Sequence, residues 1–345
     1  MDTHTLAISV IVPHYSGEQL FECLDALLAC PDQPAEIILV DDCSVDGTSE
    51  AAARRYPGLR MLRNPANLGF VGACNRGLAE ATQPFAALLN DDALVEPGWL
   101  DVCLAALEAD PSIAAVQPKI VRAQDPSTFD YAGGAGGLID RYAYPYALGR
   151  WFDQLETDTG QYDAPREVFW ASGTAIAMRM DAVRTVGLLD RALQMHMEEI
   201  DWCWRAIVAG YRIVNAPSAR VRHYGAATLK ADSFRKMYLN HRNSFMLILK
   251  NYSISSVLWI APIRLLLELL TVAGSLATGN VRRALAAFIA PFAAAVKLPH
   301  ILHERRRIAK LRRRPDRDVA ARMYRGSIAI RYLLRLGSPS PEGAA

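Results

Sequence analysis

Cysteine is scarce and unpaired in this chain of 345 residues. Cys23, Cys30, Cys43, Cys74, Cys103 and Cys203 are scattered with no C-x-x-C spacing, which argues against a disulfide framework and against a structural zinc site. They read as reduced core thiols of a cytosolic protein. Charge of one sign is also lacking: the net value is +2, so no global electrostatic signature for nucleic acid is present. The opening MDTHTLAISVIVPHY has no basic segment followed by a long apolar core, and reads as a strand rather than an export leader. Behind that strand there is neither G-x-G-x-x-G nor G-x-x-x-x-G-K-[ST]. Pro13, His14, Tyr15, Ser16 and Gly17 stand there instead, which disfavours a dinucleotide-binding dehydrogenase or a P-loop enzyme.

What is present is an alternation of strands and helices. Residues 8–12 form a short β-branched strand ended by Pro13, and Ser16 with Gln19 has the form of a capping box. Leu20, Cys23, Leu24, Leu27 and Leu28 then recur at helical spacing. Residues 36–40 form a second strand whose continuous apolar run Ile37, Ile38, Leu39 and Val40 implies burial on both faces, as in a parallel sheet. Further strands are predicted at 59–62 and 85–89, with helices at 51–56 and 71–81. This order implies an α/β domain with a doubly wound, mostly parallel sheet flanked by helices.

Acid is concentrated at the ends of those strands. The run 85–89 stops at Asn90, Asp91 and Asp92, with Pro97 placed at the first turn of a new helix. Adjacent carboxylates at the end of a buried strand are costly to ionise unless something positive faces them, and a divalent cation is the simplest candidate. The alternative is a plain polar turn. The strand 36–40 likewise ends at Asp41 and Asp42, where Asx turns ahead of Asp46 and Gly47 would also account for the acids. A second cluster, MEEIDWCWR at 197–205, reads as a helix start whose dipole favours Glu198 and Glu199, with Gly210 as its C-terminal stop. His223 closes an apparent strand at 219–222.

The runs SVIVPHY, EIILVDDCSVDGT, NPANLGFVGACNRGL, LLNDDALVEPGWL, WASGTAIAMRMDAVRTVGLLD, MEEIDWCWRAIVAGYRI and RVRHYGAAT resemble a family 2 glycosyltransferase of the GT-A fold, most closely its bacterial rhamnosyltransferase branch. The resemblance covers about residues 6–228. It implies a nucleoside diphosphate sugar donor, dTDP- or UDP-linked, with Pro13 and Tyr15 flanking the base, Asp42 on the nucleoside, and Asn67 and Gly69 near the nucleotide. It implies a Mn2+ or Mg2+ ion on Asp92, completed by His223, with Asp91 reaching the donor at the reaction centre. Asn90 stands where the family's D-x-D motif has its first acid, a loss of one anionic ligand. The resemblance makes Glu199 the catalytic base, a glutamate where aspartate is commoner, with Glu198 as the alternative. Trp170, Ser172 and Gly173 are expected at the acceptor end, and Asp201 in acceptor-binding or structural hydrogen bonds. The aromatics Tyr142, Tyr144, Tyr146, Trp151, Phe152 and Tyr162 suit either sugar stacking or packing.

Beyond residue 232 the composition changes. Residues 233–251 read as a helix, and the apolar stretches 254–278 and 285–296 are interrupted by Pro262, Arg264 and Glu268 and by Pro291. Arg305, Arg306, Arg307, Lys310, Arg312, Arg313 and Arg314 follow. The division expected is a catalytic domain at 1–232 and a C-terminal helical extension at 233–345. The extension is expected to lie in the membrane interface, its basic run held by anionic headgroups, or else to pack on the domain or in a homodimer. A membrane surface suits a saccharide acceptor carried on a polyprenyl lipid, and a cytoplasmic, peripheral location on the inner face of the membrane. Two other functions stand beside this one: a sugar-phosphate nucleotidyltransferase, whose glycine-rich loop is absent after the first strand, and a catalytically silent carbohydrate-binding or scaffolding relative.

Overall fold

The computed structural model describes residues 4–225 and 233–339. The end of the motif at 220–228 and the expected division at 232 fall on residues outside the described ones. The strands are β1 (His4–His14), β2 (Asp32–Asp41), β3 (Arg60–Arg63), β4 (Phe85–Leu89), β5 (Ala93–Val95), β6 (Ile113–Arg122), β7 (Gly137–Ile139), β8 (Pro145–Ala147), β9 (Arg150–Trp151), β10 (Gln154–Leu155), β11 (Glu167–Val168), β12 (Ala175–Arg179) and β13 (Arg212–His223). The helices are α1 (Gln19–Ala29), α2 (Thr48–Arg55), α3 (Gly69–Glu80), α4 (Trp99–Ala109), α5 (Met180–Val186), α6 (Glu198–Val208), α7 (Phe234–Asn251), α8 (Ile254–Ala277), α9 (Val281–Val296), α10 (Leu298–Leu311), α11 (Asp316–Ala320) and α12 (Ile328–Leu333).

The main sheet runs β11-β13-β6-β12-β4-β1-β2-β3, with β5 paired to β13, and β7 to β10 form a small separate sheet. Strands β3, β2, β1 and β4 are mutually parallel, β12 is antiparallel to β4 and β6, and β13 is parallel to β6. The continuous apolar runs are buried because helices cover both faces. Close approach fixes one of them: a Cβ on Gly77 of α3 would meet Ile11 Cγ2 of β1 at 2.2 Å.

Some local expectations are corrected. Pro13 does not end the first strand, which continues to His14 with Pro13 paired to Val40. Ser16 forms no capping box, because α1 begins at Gln19 behind Glu18 without a side-chain cap. Pro262 and Pro291 lie inside α8 and α9 rather than breaking them.

The C-terminal helices share a core with the sheet domain. Trp204 of α6 meets Tyr252 edge-on with ring centroids 4.9 Å apart, and Ile308, Val319 and Met323 join the same buried cluster. Beneath it lies a buried ionic network. Lys250, fully buried, pairs with Asp190 and, at 3.0 Å, with Asp201, while Asp201 Oδ2 accepts from Arg205 Nε at 2.9 Å and its Oδ1 from Asn251 Nδ2 at 3.1 Å. Breaking such a network by removing one partner leaves an uncompensated charge. Lys250→Ala is therefore expected to destabilise the protein by about 3–5 kcal/mol, read as a lowered denaturant midpoint. A midpoint within error of wild type would contradict the network's role.

Candidate functional site

Three strand ends meet beside the point where the sheet order reverses, β4 lying on one side of β1 and β2 on the other. This is where open α/β sheets place ligands. Past β4 the chain turns sharply. Asn90 N donates to Thr174 O at 2.9 Å, and both Ala93 N (3.1 Å) and the Cys23 thiol (3.4 Å) donate to Asn90 O. The buried Asn90 Oδ1 has no hydrogen-bond partner.

The turn sends its two aspartates to two different histidines. Asp91 Oδ2 lies 2.6 Å from Nδ1 of His14, whose Nε2 lies 2.7 Å from Thr48 Oγ1. Thr48 gives its one hydroxyl proton to Asp46 at 2.6 Å, so His14 Nε2–H donates to Thr48 and its Nδ1 faces Asp91 across a short contact. Burial raises the Asp91 carboxyl above its ordinary range despite the His14 contact. Asp92 Oδ1 lies 3.1 Å from His223 Nε2, a neighbour supplied by the β5–β13 pairing that sets His223 opposite Ala93. His223 Nδ1 in turn lies 3.0 Å from Asp130 Oδ1. Burial alone would lower the imidazole, but bonds and charge from Asp130 and Asp92 push it up to about 10. Burial opposes ionisation of Asp92 too, yet His223 holds it below the usual range.

These residues fit a small divalent cation. Adjacent ligands of an octahedral ion with bonds of ~2.1 Å stand ~3 Å apart, which is the Asp92–His223 spacing. Asp130 fixes the ring as carboxylates do behind metal-bound histidines. Among the described residues no group of three or more His, Cys, Asp or Glu side chains could hold a metal ion, so an ion on this pair would take the rest of its coordination shell from other ligands.

Asp42 is buried and first organises its own loop: Oδ1 accepts from Asn64 Nδ2 (2.8 Å) and Leu68 N (2.9 Å), and Oδ2 from Gly69 N (2.8 Å). Asn67 Oδ1 accepts from the same Gly69 N at 3.0 Å. Three bonds leave one lone-pair direction on Oδ2 for a ligand. Tyr15 is exposed at the end of β1, and Pro13 is buried. Asp41 Oδ1 accepts from Ser44 N at 2.8 Å, the Asx turn anticipated there.

The second acid cluster opens α6. Glu198 is buried, Glu199 partly so, and Oε2 of each is screened from solvent without a hydrogen-bond partner. Burial and then the Glu199 charge hold Glu198 far above the carboxylate range, and burial pushes Glu199 up to about 7. The turn before α6 is strained: Gln194, His196 and Met197 have φ of 66°, 66° and 72°, a left-handed region costing non-glycine residues about 1–3 kcal/mol each. The Asn90 turn is tied to the 171–174 segment through the Thr174 carbonyl.

The residues expected at the acceptor end, Trp170, Ser172, Gly173 and Asp201, are all buried. Trp170 is buried, donates Nε1–H to Leu138 O at 2.8 Å and lies so close under Gly137 that a Cβ there would strike its ring. It is a core residue. Asp201 belongs to the buried network described above. Ser172 and Gly173 are buried, Ser172 N donating to Gln117 Oε1 at 2.8 Å and Gly173 facing the Phe70 ring. They shape the floor between α3 and β4. The aromatics largely pack: Tyr144 lies 3.7 Å beneath the Arg264 guanidinium and Phe152 4.0 Å from Tyr332. The sequence reading passed over His14 and Asp130. A histidine closing a central strand was a usable signal for the first, and nothing local marks the second.

The sequence profile of glycosyl transferase family 2 matches residues 9–187. The chain is 30% identical over 271 residues to the N-acetylglucosaminyl-diphospho-decaprenol L-rhamnosyltransferase of Mycobacterium tuberculosis, covering 74% of this chain and 87% of that one. It is also 30% identical over 209 residues to that organism's pre-mycofactocin glycosyltransferase, covering 59% of this chain and 40% of the relative. Among solved structures, GalNAc-T7 with UDP, GalNAc and Mn2+ superposes with a TM-score of 0.56 at 18% identity, over 72% of this chain and 48% of that one. The mannosyltransferase PcManGT of Pyrobaculum calidifontis with GDP-Man and Mn2+ superposes at 0.50 and 18%, over 96% and 88%. The fold is GT-A.

Glu199 generates a stability prediction. Its folded value lies above the unfolded one, about 7 against 4.5, so the native state keeps a proton that the unfolded chain releases. Stability is lost as pH rises through that window and the loss is complete above it. Glu199→Gln removes the penalty. The variant should be ~1–3 kcal/mol more stable than wild type at pH 8 and little changed at pH 5, measured by thermal unfolding at both values. Equal stability at pH 8 would mean the carboxyl is not desolvated.

Proposed function

The chain belongs to glycosyl transferase family 2, and from that premise we propose that it transfers a sugar, rhamnose favoured, from a dTDP- or UDP-linked donor to a lipid-linked saccharide acceptor with inversion. One observation carries this reading. Glu199 Oε2 is screened from solvent without a hydrogen-bond partner, and Asp91 and Asp92 stand side by side just past the end of β4. The identity to a decaprenol-linked L-rhamnosyltransferase over most of both chains supports the donor sugar and the lipid-linked acceptor.

In the reaction Glu199 takes the proton of the acceptor hydroxyl. The hydroxyl oxygen then attacks the anomeric carbon while the bond to the diphosphate oxygen breaks on the opposite side, in one displacement that inverts the centre. A carboxylate titrating near 7 is matched to that duty at neutral pH. Asp42, Asn67 and Gly69 bind the nucleoside beside Pro13 and Tyr15, and Asp91, backed by His14, orients the donor. Mn2+ or Mg2+ would be held by Asp92 and His223 and would neutralise the departing diphosphate. Structures of the same fold carry Mn2+.

The acceptor reading is supported by an inverted helix. Arg264 and Glu268 of α8 are buried, Arg264 donating to Glu268 and to Tyr142 O. Leu258, Trp259, Leu266 and Leu269 on the same helix, with Phe288 and Phe292 on α9, are exposed. A helix with charge inside and apolar residues outside suits a lipid environment, and α8 is the one described helix long and apolar enough by itself to cross a membrane. We read it as lying in the interface, on the cytoplasmic face.

Three outcomes check the proposal. Glu199→Gln should lower transfer from a dTDP- or UDP-sugar to a short-chain lipid-linked acceptor by about 100- to 10,000-fold, the range of general-base effects, while keeping nucleotide affinity. Transfer near wild type would remove Glu199 from the base role. Asp92→Asn should abolish stimulation by Mn2+, assayed in the same reaction; unchanged stimulation would place the ion elsewhere. Vesicles containing anionic lipid should sediment the wild type and release a Leu266→Glu/Leu269→Glu variant. Unchanged sedimentation, or a shift from dimer to monomer instead, would assign that face to another partner.

A further inference from the structure

The geometry points to Arg242 and Asn243 on α7 as positioning residues for Glu199, acting through the left-handed turn from which α6 springs. This inference rests on the proposed role of Glu199 and adds to it the device that aims the base.

Asn243 is fully buried, and its Nδ2 donates toward three carbonyls of that turn, Leu193 O at 2.8 Å, Met195 O at 3.0 Å and His196 O at 2.8 Å. Its Oδ1 accepts from Arg242 Nε at 2.9 Å, which fixes the way the amide faces. Arg242, itself buried, donates Nη2 to Ala192 O and Leu193 O, both at 3.1 Å. Two neighbouring side chains therefore hold four of the five carbonyls from 192 to 196. The turn they hold is the one in which Gln194, His196 and Met197 are left-handed without being glycine, a conformation that persists only where its surroundings over-determine it. The Met197 carbonyl then accepts from Asp201 N at 2.8 Å as α6 begins.

The consequence falls on Glu199. Its Oε2 has no hydrogen-bond partner, so that oxygen is not tied at its own end and its aim comes from the backbone that carries it. That backbone leaves the turn fixed by α7. Glu198 on the same helix end and Cys74 of α3 are the titratable groups facing this carboxylate, with Cys203 one turn further along α6. None of them donates to it among the hydrogen bonds described.

The test uses the full-length protein and compares Asn243→Ala, Arg242→Lys and Glu199→Gln for kcat, donor KM, binding of UDP and dTDP with Mn2+, thermal stability, and the acid limb of the kcat–pH profile. Asn243→Ala is expected to lower kcat about 10- to 100-fold, the scale of a misplacement near 1 Å, with donor KM and nucleotide affinity within about twofold and the acid limb moved to lower pH as water reaches the carboxylate. Arg242→Lys, which keeps the charge and loses the fork, should show a smaller loss of the same kind. It serves as the readout if Asn243→Ala does not fold. A folded variant with wild-type kcat and acid limb, or one losing activity only in proportion to its folded fraction, overturns the inference. If Glu199→Gln itself retains transfer, the base assignment fails instead, and the two failures are told apart.

Discussion

Uncompensated acid at the mouth of the sheet is the constraint on which the rest of the structure depends. Asp42, Asp91 and Asp92 stand at the ends of β2 and β4 and Glu198 and Glu199 at the start of α6, and among the described residues none of them pairs with lysine or arginine. The structural acids behave differently. Asp190 and Asp201 are held by Lys250 and Arg205, with His300 Nε2 also 3.0 Å from Asp190. At the mouth the facing partners are His14 for Asp91 and His223 for Asp92.

Much of this was legible in the sequence, for identifiable reasons. Strand–helix alternation follows from apolar period, and the acids at strand ends follow from the abrupt stop of buried runs at Asn90 and Asp41. Long-range pairing was not legible. His14 finds Asp91 across 77 residues and His223 finds Asp130 across 93, separations that no local pattern encodes. Direction around a helix also misled. Asp201 follows Glu199 by two residues, and at about 100° per residue the two point to opposite sides of α6, Asp201 into the Lys250 network. Trp170 misled for another reason: glycine at 137 lets it be buried flat beneath β7, and that proximity is set only when the 127–170 segment folds over the sheet.

The C-terminal helices belong to the machinery rather than hanging from it. α7 reaches the turn ahead of α6 with Arg242 and Asn243, α8 turns its charges inward onto Tyr142 and Ser244, and the same helices present apolar side chains outward. On the proposed reading one helical layer thus has two faces, one toward the base and one toward the lipid that brings the acceptor. A sheet domain without that layer would lack both the Lys250 counterion of Asp201 and the hold of Arg242 and Asn243 on the turn ahead of α6.

The most direct measurement is thermal stabilisation of the purified protein by nucleoside diphosphates and their sugars, each with and without Mn2+, since a ligand that binds only the folded state raises its apparent stability. The account predicts a rise with dTDP or UDP compounds that requires the metal and disappears in Asp92→Asn. No rise with any nucleotide in the presence of Mn2+ would contradict the donor site at the ends of β1, β2 and β4.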